Sequence, residues 1–264
     1  MPRPNRDNIK QWLDQSDVDF FTHFVKAWIP FNAWYRHTYD TLRTERDILD
    51  EVKSDGNRIR TRFMAKLDGD DPDSEEIRNH IAAMHRRLSS DPLQDRNNNR
   101  VSFENVCIGT NPQRIATSTS YGWRYRVERV QNSKNVVSTV SNRANVTTCT
   151  ITQTNGWDIG EFEVHTCFLS LDANKRGPFR QCYEEAHPLK FSSLLASNPP
   201  PRDALLMDGY HFRNDQAAIF AGLVEVLYSM RNLLFHGELV PDSQANRTYE
   251  PAYYLLRHLI RCIT

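Results

Sequence analysis

One segment limits the possible folds more than any other: residues 215–236, DQAAIFAGLVEVLYSMRNLLFH. Ile219, Phe220, Leu223, Val224, Val226, Leu227, Met230, Leu233, Leu234 and Phe235 leave a helix almost no polar face. Such a helix has to be buried nearly all round, so other elements must enclose it. Its few polar side chains then need a reason. Glu225, Ser229, Asn232 and His236 are spaced by four, three and four, which puts them on one line along the helix, with Arg231 beside Asn232. Gly237 follows as a C-cap, so His236 falls in the last turn. An unpaired charge in a dry core is costly. Either these groups make core hydrogen bonds and a salt bridge to another helix, or they line a wet groove or subunit interface that presents Arg231 and His236 to an anion.

The rest of the chain supplies the neighbours. The run Ser16-Asp17-Val18-Asp19 reads as a helix start, and Phe20, Phe24, Trp28, Phe31 and Trp34/Tyr35 recur near the helical period. Pro30 is expected to kink that helix without ending it. A second helical stretch is expected at about 40–66. The acidic run from Asp68 to Glu76 suits a solvated loop opening a third helix. Near residue 92 the character changes. VSFENVCI, YGWRYRVERV, NVTTCTIT and EFEVHTCFL are β-branched and aromatic, and read as strands, with two hairpins expected. The Pro-rich stretch 197–203 marks a linker. Two helical patterns follow, at about 212–236 and 250–263, the latter with Pro251 in its first turn. The expected division is 1–95 N-terminal helices, 96–200 β-rich insertion and linker, and 201–264 C-terminal helices.

With Lys+Arg 33 against Asp+Glu 33, global charge gives no argument for nucleic acid or an anionic membrane. Locally, residues 113–147 carry six cations against one acid, Glu128. Arg124, Arg126 and Arg129 alternate with Trp123 and Tyr125, a composition that suits RNA because phosphates seek cations and bases stack on rings. A strand with one solvated basic face is the plainer reading. The five cysteines show no CxxC spacing and are expected to be free, buried thiols. Without a Gly-rich phosphate loop, HExxH or other metal spacing, no cofactor and no metal is expected. Apolar runs are broken before the roughly 18 residues of a membrane span, and there is no signal-peptide pattern, so a cytoplasmic protein with no membrane partner is expected.

Arg231-Asn232-Leu-Leu-Phe-His236 resembles the Arg, four to six residues, His motif of the HEPN superfamily. The spacing alone also occurs at Arg78–His85 and Arg180–His187, but only Arg231 lies near the end of a long apolar helix, followed by Gly and a final amphipathic helix. RNLLFHGEL in that setting, together with FVKAWIPFNAWY, is similar to Apea-like, defence-associated HEPN proteins. The resemblance implies a mainly α, up-and-down helical bundle with a β-rich insertion that dimerises and brings two motif helices together. It also implies a metal-independent endoribonuclease, a toxin or antiphage effector, with RNA as substrate and an antitoxin or regulatory protein as a further partner. Arg231, Asn232 and His236 would then be catalytic, with Glu225 and Ser229 orienting them. The alternative is a non-catalytic HEPN module that binds RNA or a nucleotide, or docks a partner.

Overall fold

The computed structural model describes residues 18–95 and 100–263. The N-terminal stretch through Asp17, on which the leader reading falls, lies outside the described residues; the helix expected to start at Ser16 begins later, since Val18 and Asp19 are not helical. The chain divides into two compact units: residues 1–108 with 191–264, and residues 109–190.

In the first unit, helix α1 (Phe20–Thr38) runs through Pro30 and buries Phe24, Trp28, Phe31 and Tyr35. Its start is fixed by Asp19, whose carboxylate accepts from the Thr22 amide at 3.1 Å. Asn246, far along the chain, accepts from the Phe20 amide at 2.8 Å. The expected 40–66 helix is two, α2 (Glu45–Ser54) and α3 (Arg58–Asp68). Asn57 separates them because its side chain caps α3, accepting from the Arg60 amide at 2.9 Å. Helix α4 (Pro72–Ser90) opens inside the acidic run, with Asp71 as its cap. In the returning chain the short hairpin β7 (Leu205–Met207) and β8 (Tyr210–Phe212) precedes α8 (Gln216–Phe235) and α9 (Ser243–Arg261).

Helix α8 is the central element. It packs against α2 and α3, while α9 packs against α1 and α4. The Tyr249 hydroxyl of α9 donates to the Met230 carbonyl of α8 at 2.7 Å. At Gly222 a Cβ would stand 2.5 Å from the Leu194 side chain, which is itself buried, so this turn of α8 accepts only glycine. By length and composition alone Gln216–Phe235 passes as a membrane span, contrary to the expectation of interrupted apolar runs. Yet 61% of that window is buried within the fold, as in the core helix of a soluble protein. Helix α9 begins earlier than expected. Asp242 caps it, accepting from the Ala245 amide at 2.7 Å, and Pro251 lies inside the helix instead of in its first turn.

The second unit is built on a four-stranded antiparallel meander, β2 (Ile115–Ser120), β3 (Trp123–Arg129), β4 (Val136–Ser141) and β5 (Thr147–Gln153). The two-residue period turns Tyr125, Val127, Val136, Val140, Cys149 and Ile151 into one core and leaves Arg124 and Arg126 exposed. Helices α5 (Ile159–Val164), α6 (Thr166–Leu169) and α7 (Ala173–Glu185) complete that core with Phe162, Phe168, Phe179 and Tyr183. β1 (Val106–Thr110) pairs with β6 (Leu189–Ser192), the outgoing and returning chain.

Three expectations are corrected here. The segment EFEVHTCFL is helical because Asp158 accepts from the Glu161 amide at 3.0 Å and His165 from the Cys167 amide at 3.1 Å, two caps that outweigh its β-branched and aromatic content. Cys149 and Cys167 form a disulfide, while Cys107, Cys182 and Cys262 are buried thiols outside it. The mainly α HEPN-type bundle does not hold. About 50% of the chain is helix and 18% strand, with several sheets, so the fold is an α/β mix, because residues 115–153 form a four-stranded sheet with its own core.

Candidate functional site

The polar line on α8 divides into two environments. At Glu225 both carboxylate oxygens are held: Arg46 Nη1 donates to Oε1 at 2.6 Å and Lys53 Nζ to Oε2 at 3.0 Å. Lys53 has only 2% of its side chain exposed and also lies 2.7 Å from Asp50. Burial alone would lower the pKa of Arg46, but the hydrogen bond and charge of Glu225, with Asp50, raise it overall. This is a closed ion network joining α2 to α8. It makes Glu225 a structural anchor that does not contact Arg231.

One to two turns on, the partner set thins. Arg231 Nη1 donates to Asn232 Oδ1 at 2.8 Å, and its guanidinium lies 4.5 Å from the Phe235 ring centroid. Its nearest carboxylate, Glu45 Oε2, is 3.5 Å away, beyond a good charge-assisted hydrogen bond. Arg231 Nε is buried and has no acceptor among the described residues. Glu45 is also shared, since it accepts from the Tyr35 hydroxyl at 2.5 Å and faces Arg36 at 3.8 Å. Burial, then the Glu45 hydrogen bond and charge, push the Tyr35 hydroxyl far up, so it remains a donor. Arg231 therefore has donors to spare.

His236 is the C-cap of α8 and is exposed. Its backbone N–H donates to the Asn232 carbonyl at 2.9 Å. Gly237 adopts φ 66°, its amide donating to Leu234 O at 3.2 Å and that of Glu238 to Leu233 O at 3.0 Å, a Schellman closure that only glycine enters without strain. Thus Arg231 and Asn232 are brought together, with His236 one turn beyond on the solvent side. Ser229 is half-buried and makes no hydrogen bond among the described residues.

The rival Arg–His pairs are structural. Arg78 Nη1 donates to the Leu67 and Gly69 carbonyls at 3.0 and 2.6 Å, and His85 is buried against Tyr210, Phe103 and Phe212, not on a solvated surface. Arg180 pairs with Glu163 and Glu184.

In the second unit the expected RNA-binding arginines separate. Arg124 donates to Asn145 at 3.1 Å and Arg126 to Glu128 at 2.7 Å, both at the surface. Arg129 is tied to the Asn111 and Gln113 carbonyls at 2.6 and 2.9 Å, and burial, with the nearby Arg114 charge, pushes its pKa down. The alternating rings do not form a stacking surface: Tyr125 is core, and Lys175 Nζ sits 3.9 Å over Trp123. Arg114, Arg129, Lys134 and Trp157 instead line a cavity of about 620 Å³. The cationic excess of 113–147 was the signal for it, but loop residues at its rim carry the alignment. Compared with protein families, curated proteins and solved structures, the chain matches none.

Proposed function

We propose that the chain is an endoribonuclease that works without a divalent metal, with Arg231, Asn232 and His236 as its reacting groups. The observation that carries this is the half-buried Arg231 guanidinium, whose Nε lacks an acceptor among the described residues, set one turn before an exposed imidazole. A phosphodiester supplies the acceptors that such a fork needs. The ribose 2′-hydroxyl attacks the adjacent phosphorus and the bond to the 5′-oxygen breaks. An imidazole can accept the hydroxyl proton or return one to the leaving oxygen. Arg231 stabilises charge growing on the phosphate oxygens, and Asn232 keeps the guanidinium in place. The products carry a 2′,3′-cyclic phosphate and a 5′-hydroxyl. The likeness to the HEPN motif supports this reading and suggests single-stranded RNA or tRNA as substrate, a cytoplasmic toxin or antiphage role held in check by a protein partner, and a pair of copies sharing the work.

A second reading, a non-catalytic RNA- or nucleotide-binding module, is favoured by Glu45, which stands 3.5 Å from Arg231 and competes with a phosphate. Incubating the purified chain with single-stranded RNA and tRNA in EDTA, and mapping the ends, separates the two. For an enzyme, His236→Ala lowers cleavage by about 10²–10⁴ while RNA affinity stays. Arg231-dependent binding without cleavage supports the module, and neither binding nor cleavage sinks both.

A further inference from the structure

A second cluster of chemistry-bearing side chains lies in the first unit, away from α8. Glu76 and His80 are four residues apart on α4, hence on one face, and His258 reaches them from α9. Their ligand atoms all lie within 4.8 Å of one another. His80 Nε2 is 3.5 Å from Glu76 Oε1, and His258 Nε2 is 3.6 Å from Glu76 Oε2.

Those separations are long for hydrogen bonds, which cluster near about 2.9 Å. Each is measured to its own oxygen of Glu76, and each is near the spacing of two ligands on one ion. Donors about 2.1 Å from a tetrahedral centre stand about 3.4 Å apart, the bond length times roughly 1.6. Glu76 is the polar partner of both imidazoles. Their orientation comes from packing: His80 stacks on Tyr254 at 4.8 Å with the planes 10° apart, and His258 is buried. Glu76, 49% exposed, opens the cluster to solvent.

We infer that Glu76, His80 and His258 form a binding site for a divalent transition-metal ion of the zinc class, clamping α4 to α9 with a fourth position open to water. Two imidazoles and one carboxylate suit zinc and its neighbours and do not suit calcium or magnesium, which take all-oxygen shells. The ligands come from helices far apart in the chain, so the folded protein binds the ion and the unfolded chain does not, and the ion raises stability by mass action. The i, i+4 pair Glu76–His80 was legible in the sequence. Its third member was not, because nothing local announces that His258 packs against it.

The test uses the untagged full chain, stripped with chelator and titrated with Zn²⁺ by calorimetry, with Co²⁺ as a spectroscopic probe. One ion per chain should bind with a dissociation constant of roughly 1 µM or below, raising the unfolding midpoint, and Co²⁺ should give the intense visible bands of a tetrahedral site. Glu76→Gln and His80→Ala lie at the surface and half-buried positions, so they leave the fold in place, checked by circular dichroism; each should weaken Zn²⁺ binding at least about tenfold. His258→Ala serves as a third variant. Binding unchanged in Glu76→Gln and His80→Ala, or no binding by the parent chain tighter than roughly 1 mM, overturns the site. RNA cleavage is not the readout, so this result and that of the Arg231 site are independent.

Discussion

The two ends of the polar line on α8 face the same problem, a charge on an apolar helix, and meet it differently. Glu225 has a cation on each oxygen, at 2.6 and 3.0 Å, both drawn from α2. Arg231 has one amide, one shared carboxylate at 3.5 Å, and a buried Nε with no acceptor among the described residues. A buried charge that is fully matched holds elements together. One that is only partly matched keeps donors for something else, and the fold tolerates the cost because part of the guanidinium stays wet. What separates structure from site on this helix is therefore the completeness of the partner set.

The comparison breaks most sharply at Glu225. Glu225→Ala leaves Lys53 buried with only Asp50 nearby, and should lower unfolding stability by about 3 kcal/mol in urea denaturation. Arg231→Ala removes a group that is incompletely paired already, and should cost less than about 1 kcal/mol. Equal losses would mean that the two ends are both structural anchors.

How much of this was legible follows the range of each interaction. The burial of α8, its end at Gly237 and the acidic opening of α4 are local, and the sequence carries them. The partners of Glu225 are not, because Arg46 and Lys53 lie nearly 180 residues away and only packing brings them in. Alternation in β3 placed Arg124 and Arg126 on an exposed face, but the same period sends Tyr125 into the core, which removes the stacking platform expected there. Residues 161–169 read as a strand from composition, while the cap formed by Asp158 with Glu161 three residues later was present and outweighed it. The disulfide and the His258 contact join sequence-distant groups and left no periodic trace. The motif at 231–236 was legible as a pattern. The shared Glu45 that tempers it was not.

Glu45 offers a finer adjustment of the same contrast. Glu45→Gln keeps an oxygen for the Tyr35 hydroxyl but removes the charge that competes for Arg231. If the guanidinium is reserved for phosphate, the variant should bind single-stranded RNA up to about fivefold more tightly, the equivalent of roughly 1 kcal/mol, in a salt-matched fluorescence titration. Weaker binding would show that Glu45 positions Arg231 and does not compete for it.

The smallest effect concerns a histidine held by packing. His85 is buried among Tyr210, Phe212 and Phe103, and burial lowers its pKa below the ordinary 6.5, against a small opposing pull from Glu104. The unfolded chain thus takes up that proton first as the pH falls. Its contribution to stability is fully present above about pH 6.5 and is lost as the pH drops below it. Half-buried His80 and buried His258 are lowered too, so the parent chain should lose stability on acidification through more than one group. His85→Phe keeps a ring among rings and removes one titrating site. Between about pH 7.5 and 5.5 its urea midpoint should fall by less than that of the parent chain. A His85→Phe midpoint that falls as steeply as the parent's would mean that burial of this imidazole does not carry the acid sensitivity, and that the ring is held no differently in the folded and unfolded chain.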